Sequence, residues 1–223
     1  MRRLTTSASN STCATSTPST NSCSALNHLA HFHLAWPDRA LVVGGLEGDY
    51  LKGPLPDDID AGLRRGVRLH RLVDAYTDHH PTLAALRAKF PPELRRFAGI
   101  LTDLAFDHYL TRHWETYSDL RLEDFTQMTY LSLQEHRSLL SPPARRMAQR
   151  MQDYDILSAY GDWHAVPASA SRVGERLRRG NPLTATAPAL EKLRPELESA
   201  FLDFYPKLLA YAGQQRSDLA ADN

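Results

Sequence analysis

Apolar residues recur at spacings of three and four through four long segments of the chain, which is the pattern of an amphipathic helix. The segments are residues 63–76, 100–114, 125–140 and 201–211. Alternation of β-branched and polar residues, the pattern of a strand, is scarce. The chain therefore predicts an all-α domain, and its breaks divide that domain into about seven or eight helices.

Proline and glycine set the predicted helix boundaries. The predicted breaks fall at Pro37, Gly44-Gly45, 53–56, Pro81, 91–92, 142–143, 180–182 and Pro195. A chain of 223 residues suits one hydrophobic core. We expect a single compact multi-helix domain over residues 26–215, followed by a flexible C-terminus at 216–223.

The first 25 residues have a different composition from the rest. Residues 5–24 are nearly all Ser, Thr, Asn, Ala and Pro, which predicts a disordered tail over residues 1–25. Both cysteines, Cys13 and Cys23, lie in this stretch, so we expect no disulfide in the domain and a reduced, cytoplasmic setting. No apolar run approaches the roughly 20 residues of a membrane span, and the start lacks the apolar segment of an export signal.

Charge excludes further classes of function. The formal net charge is +0 and the pI is about 7.2, so nothing global indicates a protein that binds nucleic acid or an anionic membrane. Any electrostatic recognition must be local.

The segment HRLVDAYTD places His70, Asp74 and Asp78 at i, i+4 and i+8, so that three ligand-type side chains share one helix face. The alternative is an ordinary solvated face. In ILTDLAFDHYLTRHW, Asp103 and Asp107 are also one turn apart, but apolar residues share their side of the helix. A buried carboxylate needs a metal, an arginine or a histidine, so this pair favours a functional site.

Two further segments carry candidate ligands. In LNHLAHFHLAW, His31 and His33 lie two apart, on nearly opposite helix faces, and we favour His31 as the ligand. In VVGGLEGDYLKG, the glycines give backbone freedom that lets Asp49 approach a metal or a phosphate. The alternative is an interhelical turn in which Asp49 caps the next helix.

Asp and His without Cys suit Mn²⁺ or Mg²⁺ and disfavour a structural zinc site. A phosphodiester is a natural substrate for such a site. The chain has no GxxxxGK[ST] phosphate loop and no GxSxG elbow, so nucleotide-driven transfer and serine nucleophile chemistry are disfavoured.

The ordered motifs LNHLAHFHLA, GDYLKG, GVRLHRLVDAYTDHHP, ILTDLAFDHYLTRHW and FLDFYPKLLAYA resemble the acyl carrier protein phosphodiesterase family over about residues 26–212. The resemblance implies an all-helical, HD-domain-like fold and a Mn²⁺-dependent site. It also implies removal of the 4'-phosphopantetheine arm from the serine of holo acyl carrier protein.

The resemblance also implies roles for individual residues. Together with the residue chemistry it gives a metal set of His31, His70, Asp74, Asp103 and Asp107, for one or two ions, and a catalytic set of His108, His33 and Asp49. Asp78 completes the matching positions of the central helix. The chain departs from the pattern in lacking an adjacent His-Asp doublet and in having Gly45 where the family usually has Asn.

An acidic carrier protein needs a basic surface, and the expected docking patch is the group Arg64, Arg65, Arg68 and Arg71 beside the proposed site. A solvated helix face is the alternative for this group. Two other functions stay open from the sequence. They are a metal-dependent phosphohydrolase that acts on a nucleotide or another small phosphoester, and a non-enzymatic helical binding module whose buried Asp and His residues satisfy each other.

Overall fold

A computed structural model describes residues 28–177 and 180–222, and the chain is helical, without a strand, over these ranges. The predicted all-α class and single compact domain are confirmed. The predicted tail at residues 1–25 lies outside the described residues.

Eleven α-helices and three short 3-10 helices make up the described part of the chain. The α-helices are α1 His28–Ala35, α2 Arg39–Glu47, α3 Ala61–His79, α4 Pro81–Lys89, α5 Ala98–Arg112, α6 Trp114–Tyr117, α7 Leu122–Glu135, α8 Pro142–Asp153, α9 Ile156–Ala159, α10 Ala165–Arg176 and α11 Ala187–Ala221. The 3-10 helices are Arg95–Phe97, Arg137–Leu139 and Pro182–Ala185.

Two aspartates set where α2 and α3 begin. Asp38 accepts hydrogen bonds from the amides of Ala40 and Leu41, at 2.9 and 3.3 Å. Asp60 accepts one from the amide of Leu63, at 2.9 Å. Both are N-caps that satisfy amides with no partner inside the helix.

Helices α2 and α3 cross in backbone contact at two glycines. A Cβ atom added to Gly44 would lie 2.5 Å from the Cα of Gly66, so any side chain there would push the helices apart. The predicted break at Gly44-Gly45 was therefore wrong: these glycines lie inside α2, where they permit close packing. This contact brings the end of α2 beside the middle of α3.

The longest helix, α11, has 35 residues and packs along α1, α3, α4 and α5. The predicted break at Pro195 was wrong, because buried Leu193 and Leu197 on either side hold the helix against the core. The helix also continues through residues 216–221, beyond the predicted end of the domain. There Arg216 donates hydrogen bonds of 2.6 Å to the carbonyl oxygens of Leu34 and Trp36.

Over residues 28–177 and 180–222, no helix is both long enough and apolar enough to cross a membrane.

Candidate metal centre

Three side chains from α1 and α3 converge on one point. His31 Nε2 lies 3.2 Å from Asp74 Oδ1, and His70 Nε2 lies 3.2 Å from Asp74 Oδ2. The two imidazole rings stack with centroids 4.2 Å apart. Both histidines are buried, whereas the Asp74 side chain is 32% exposed, so the group opens to solvent on the Asp74 side.

The group fits a divalent cation. One donor atom from each of the three residues lies within 4.8 Å of the others. Ligands held about 2.0–2.2 Å from one ion lie roughly 3 Å from each other, which is close to the observed separations. Neither ring nitrogen of buried His70 makes a hydrogen bond of acceptable geometry. Its lone pair is thus available to a cation, which the carboxylate of Asp74 would neutralise in part.

Charges around the group favour the same conclusion. The Asp49 side chain is 5% exposed, and its Oδ1 lies 3.7 Å from His70 Nε2. Burial, together with the charges of Asp74, Asp78 and Asp49, raises the pKa of Asp103 to about 7. Such repulsion between carboxylates is relieved by a bound cation.

The histidines respond to these carboxylates in different ways. Burial acts to lower the pKa of His31, but the hydrogen bond and charge of Asp74 outweigh it and raise that pKa. Burial and the neighbouring charge of His31 lower the pKa of His70. Burial acts to raise the pKa of Asp74, yet its close contacts with both histidines hold that pKa well below its usual range. Asp74 is therefore an anion at neutral pH, which suits a ligand of a cation.

One residue at the site was missed by the sequence analysis. His28 is buried, and its Nδ1 lies 3.5 Å from Asp49 Oδ2. The signal was present, because His28 and His31 are three residues apart and so share one face of α1. Asp49 thus lies between His28 and His70, and it does not cap α3, whose N-cap is Asp60.

Gly48 makes room for His70. A Cβ atom at Gly48 would lie 2.5 Å from ring atoms of His70, although the backbone at Gly48 is right-handed helical and accepts any residue. Glycine is therefore required at this position because a Cβ atom would clash with the His70 ring. The backbone conformation of the turn does not require it.

We expect Gly48→Ala to displace the His70 ring and to weaken Mn²⁺ binding by about 10- to 100-fold, as loss of a supporting residue does at metal sites. The matched control is Gly45→Ala, where the nearest atom would be Phe32 Cδ1 at 3.8 Å. Titration calorimetry with Mn²⁺ on both variants measures the difference. If the two variants bind Mn²⁺ with equal affinity, the space that Gly48 leaves for the His70 ring is not required for metal binding.

Asp107 was expected to be a ligand, and the structure places it at the start of α1. Its fully buried carboxylate accepts hydrogen bonds from the amides of Leu29 and Ala30, at 3.2 and 3.0 Å. Burial raises the pKa of Asp107 to about 8 against the effect of these two bonds. Asp107 lies outside the group of His31, His70 and Asp74, and its role as a ligand stays a prediction.

His33 lies in an aromatic part of the core. Its Nε2–H donates to the carbonyl oxygen of Tyr117 at 3.1 Å, and the Tyr205 hydroxyl donates to its Nδ1 at 2.8 Å. The ring packs edge-on to Trp114. Burial lowers the pKa of His33 to about 4. Both ring nitrogens are engaged, and a catalytic role for His33 stays a prediction.

His108 faces the segment between α9 and α10, where its ring packs edge-on to Trp163. Its Nδ1–H donates to the carbonyl oxygen of Tyr160 at 2.8 Å, and its buried Nε2 has no hydrogen-bond partner. Burial and the charges of Arg112 and Arg194 lower its pKa. Its catalytic role also stays a prediction.

Each of the four arginines predicted to dock a partner contacts its own chain. These contacts run from Arg64 to the carbonyl oxygens of Pro56 and Asp57 at 2.6 and 3.1 Å, from Arg65 to Asp38 at 3.9 Å, from Arg68 to Asp222 at 3.4 Å, and from Arg71 to the carbonyl oxygen of Leu51 at 2.8 Å. A docking role for this patch stays a prediction.

Comparisons with known proteins match nearly the whole described domain. The model of the family described as acyl carrier protein phosphodiesterase matches residues 26–208. A relative of that name from Serratia proteamaculans (strain 568) is 30% identical over 188 residues, which cover 84% of this chain and 97% of the relative. One from Escherichia coli (strain K12 / DH10B) is 29% identical over 193 residues, covering 85% and 99%. No solved structure gives a significant match.

Proposed function

The chain belongs to the acyl carrier protein phosphodiesterase family, and we propose that it uses a divalent ion held by His31, His70 and Asp74 to hydrolyse the link between 4'-phosphopantetheine and the serine of holo acyl carrier protein. Membership in the family makes the chain a phosphodiester hydrolase. The observation that carries the metal site is the convergence of these three donor atoms within 4.8 Å.

In the proposed reaction, the oxygen of water bonds to phosphorus and the bond from phosphorus to the serine oxygen breaks. The proton that water loses to Asp49 passes to the serine oxygen. A divalent ion supplies neutralising charge to the phosphate oxygens and makes water more acidic. Asp49 lies beside the group and is the base that takes the proton from water. His28, with its Nδ1 3.5 Å from Asp49, orients that carboxylate.

The exposed side of Asp74 sets the direction of approach. His31 and His70 are buried, so a serine phosphodiester would reach these residues from the solvent side, where Asp74 and Asp78 lie. The half-buried Asp103, whose pKa is raised to about 7, lies near this group and is the further carboxylate that a second ion would use.

The donor set suits a first-row divalent ion better than Ca²⁺, which prefers oxygen alone, because two imidazoles accompany the carboxylate. Among these ions we propose Mn²⁺, as the family resemblance implies, and the lack of a Cys donor in the group disfavours a structural zinc site. Mg²⁺ is the second choice.

A cytoplasmic location, and a role without nucleic acid or membrane, remain predictions from the sequence.

Removing the metal tests this proposal. We expect EDTA followed by desalting to stop conversion of holo to apo carrier protein, measured by intact-protein mass spectrometry, and we expect added Mn²⁺ to restore it. Because ligands bind the native state, Mn²⁺ at about 100 times its dissociation constant should also stabilise the fold by about 2.7 kcal/mol. Full activity after verified metal removal would contradict the proposal.

The same assay separates the other two functions. Hydrolysis of nucleotides but not of holo carrier protein, at equal Mn²⁺, would replace the proposed substrate. No turnover and no Mn²⁺ binding would favour the binding module, in which the Asp and His residues serve only stability.

A further inference from the structure

A cavity of about 350 Å³ lies between α8, α9 and α10, and His28 lines it. This volume is within the range of about 300–1,000 Å³ that is usual for small-molecule sites. His28 also lies beside Asp49, so the cavity and the candidate metal centre share a wall.

We propose that this cavity binds the pantetheine arm of the substrate while the phosphodiester lies at the metal centre. The inference rests on the proposed function and adds to it the place where the arm is recognised. It assigns a binding role to residues of α8, α9 and α10, which the sequence motifs do not include.

The lining suits the chemistry of the arm. Pantetheine is flexible and uncharged, with two methyl groups and two amides. The cavity wall offers apolar surface from Met147, Ile156 and Val173, which suits the methyl groups and the alkyl chain. Arg150 and Arg176 at the same cavity are exposed and offer guanidinium donors to amide carbonyls.

These arginines differ from those of the predicted docking patch on α3. Among the described residues, neither Arg150 nor Arg176 forms an ion pair with a carboxylate, whereas Arg65 and Arg68 each do. Their donors are therefore available to a ligand without first breaking an internal contact.

His28 is the contact that joins the cavity to the metal centre. It lines the cavity, and its Nδ1 lies 3.5 Å from Asp49 Oδ2. The phosphodiester end of the arm would lie on the Asp49 side of His28, and the rest of the arm would lie on the cavity side.

The test fills the cavity with a large side chain. Ala165 is half-buried at the start of α10 and lines the cavity. Ala165→Trp is expected to weaken binding of free pantetheine by at least tenfold in titration calorimetry and to raise KM for holo carrier protein by a similar factor. Hydrolysis of bis(4-nitrophenyl) phosphate, which has no arm, should stay unchanged.

The matched control is Ala168→Trp, an exposed position three residues further along α10 that does not line the cavity. It should leave pantetheine binding and both activities as in the unmodified protein. If Ala165→Trp unfolds, Arg176→Ala serves instead, since a surface substitution changes stability by about 0.5 kcal/mol or less. It should weaken pantetheine binding at unchanged melting temperature.

The outcomes separate this inference from the proposed function. Suppose that a folded Ala165→Trp protein has the same pantetheine affinity and the same KM for holo carrier protein as the unmodified protein. This result would overturn the inference and leave the proposed activity in place. An unmodified chain that leaves holo carrier protein intact contradicts the proposed function instead. In that case, pantetheine binding that is lost in Ala165→Trp would still support the cavity as the pantetheine site.

Discussion

Replacing His70 by alanine is expected to reduce kcat/KM for holo carrier protein by about 10³-fold or more. An ion contributes several kcal/mol to stabilising transition-state charge, and each 1.36 kcal/mol corresponds to a factor of ten in rate. His70 Nε2 lies 3.2 Å from Asp74 and has no hydrogen bond of acceptable geometry, so its removal takes away a ligand and no structural bond. The measurement is mass-spectrometric turnover together with the metal content of the purified variant.

The control for this prediction lies on the same helix. His79 is exposed near the end of α3, where its Nδ1–H donates to the carbonyl oxygen of Ala75. His79→Ala should keep both Mn²⁺ and activity. A His70→Ala protein that retains Mn²⁺ affinity and turnover would remove His70 from the site. Loss of activity with metal content unchanged would also contradict its assignment as a ligand.

Part of this site could be predicted because its geometry is local. His70 and Asp74 are one helical turn apart, so any helix over that segment brings them to one face, and α3 does so. His31 and His33 lie on nearly opposite faces of a helix, so the sequence predicts that only one of them, His31, serves the ion. The structure brings His31 to Asp74 and buries His33 among aromatic rings.

Contacts between distant segments could not be predicted in this way. The apolar pattern indicated that Asp107 is buried, but nothing in its own segment showed that its partners are amides 77 and 78 residues away. The rule that a buried carboxylate needs compensation allows a helix N-terminus as well as a metal. The helix breaks predicted at Gly44 and Pro195 were wrong for a similar reason. Packing against other helices stabilises α2 and α11 by more than the local tendency of these residues to break a helix.

Asp107→Ala is expected to be strongly destabilising. It leaves the amides of Leu29 and Ala30 buried without acceptors, at about 1–3 kcal/mol for each unsatisfied group. In a chain of this size, a loss of about 3 kcal/mol lowers the melting temperature by roughly 6–12 °C. Thermal unfolding of metal-free protein measures the effect, and Asp119→Asn at an exposed position is the control.

Asp107→Asn separates the role of a helix cap from that of a metal ligand. Asparagine keeps one acceptor oxygen but turns an N–H group toward the second backbone amide, so it weakens a helix cap. The substitution removes no donor atom from the group of His31, His70 and Asp74. For a cap, the metal-free protein melts lower than the unmodified protein, and saturating Mn²⁺ raises both melting temperatures by the same amount. A ligand would show the reverse pattern, with metal-free stability retained and the increase on adding Mn²⁺ reduced. Because both carboxylate oxygens already accept backbone hydrogen bonds, we expect the pattern of the cap.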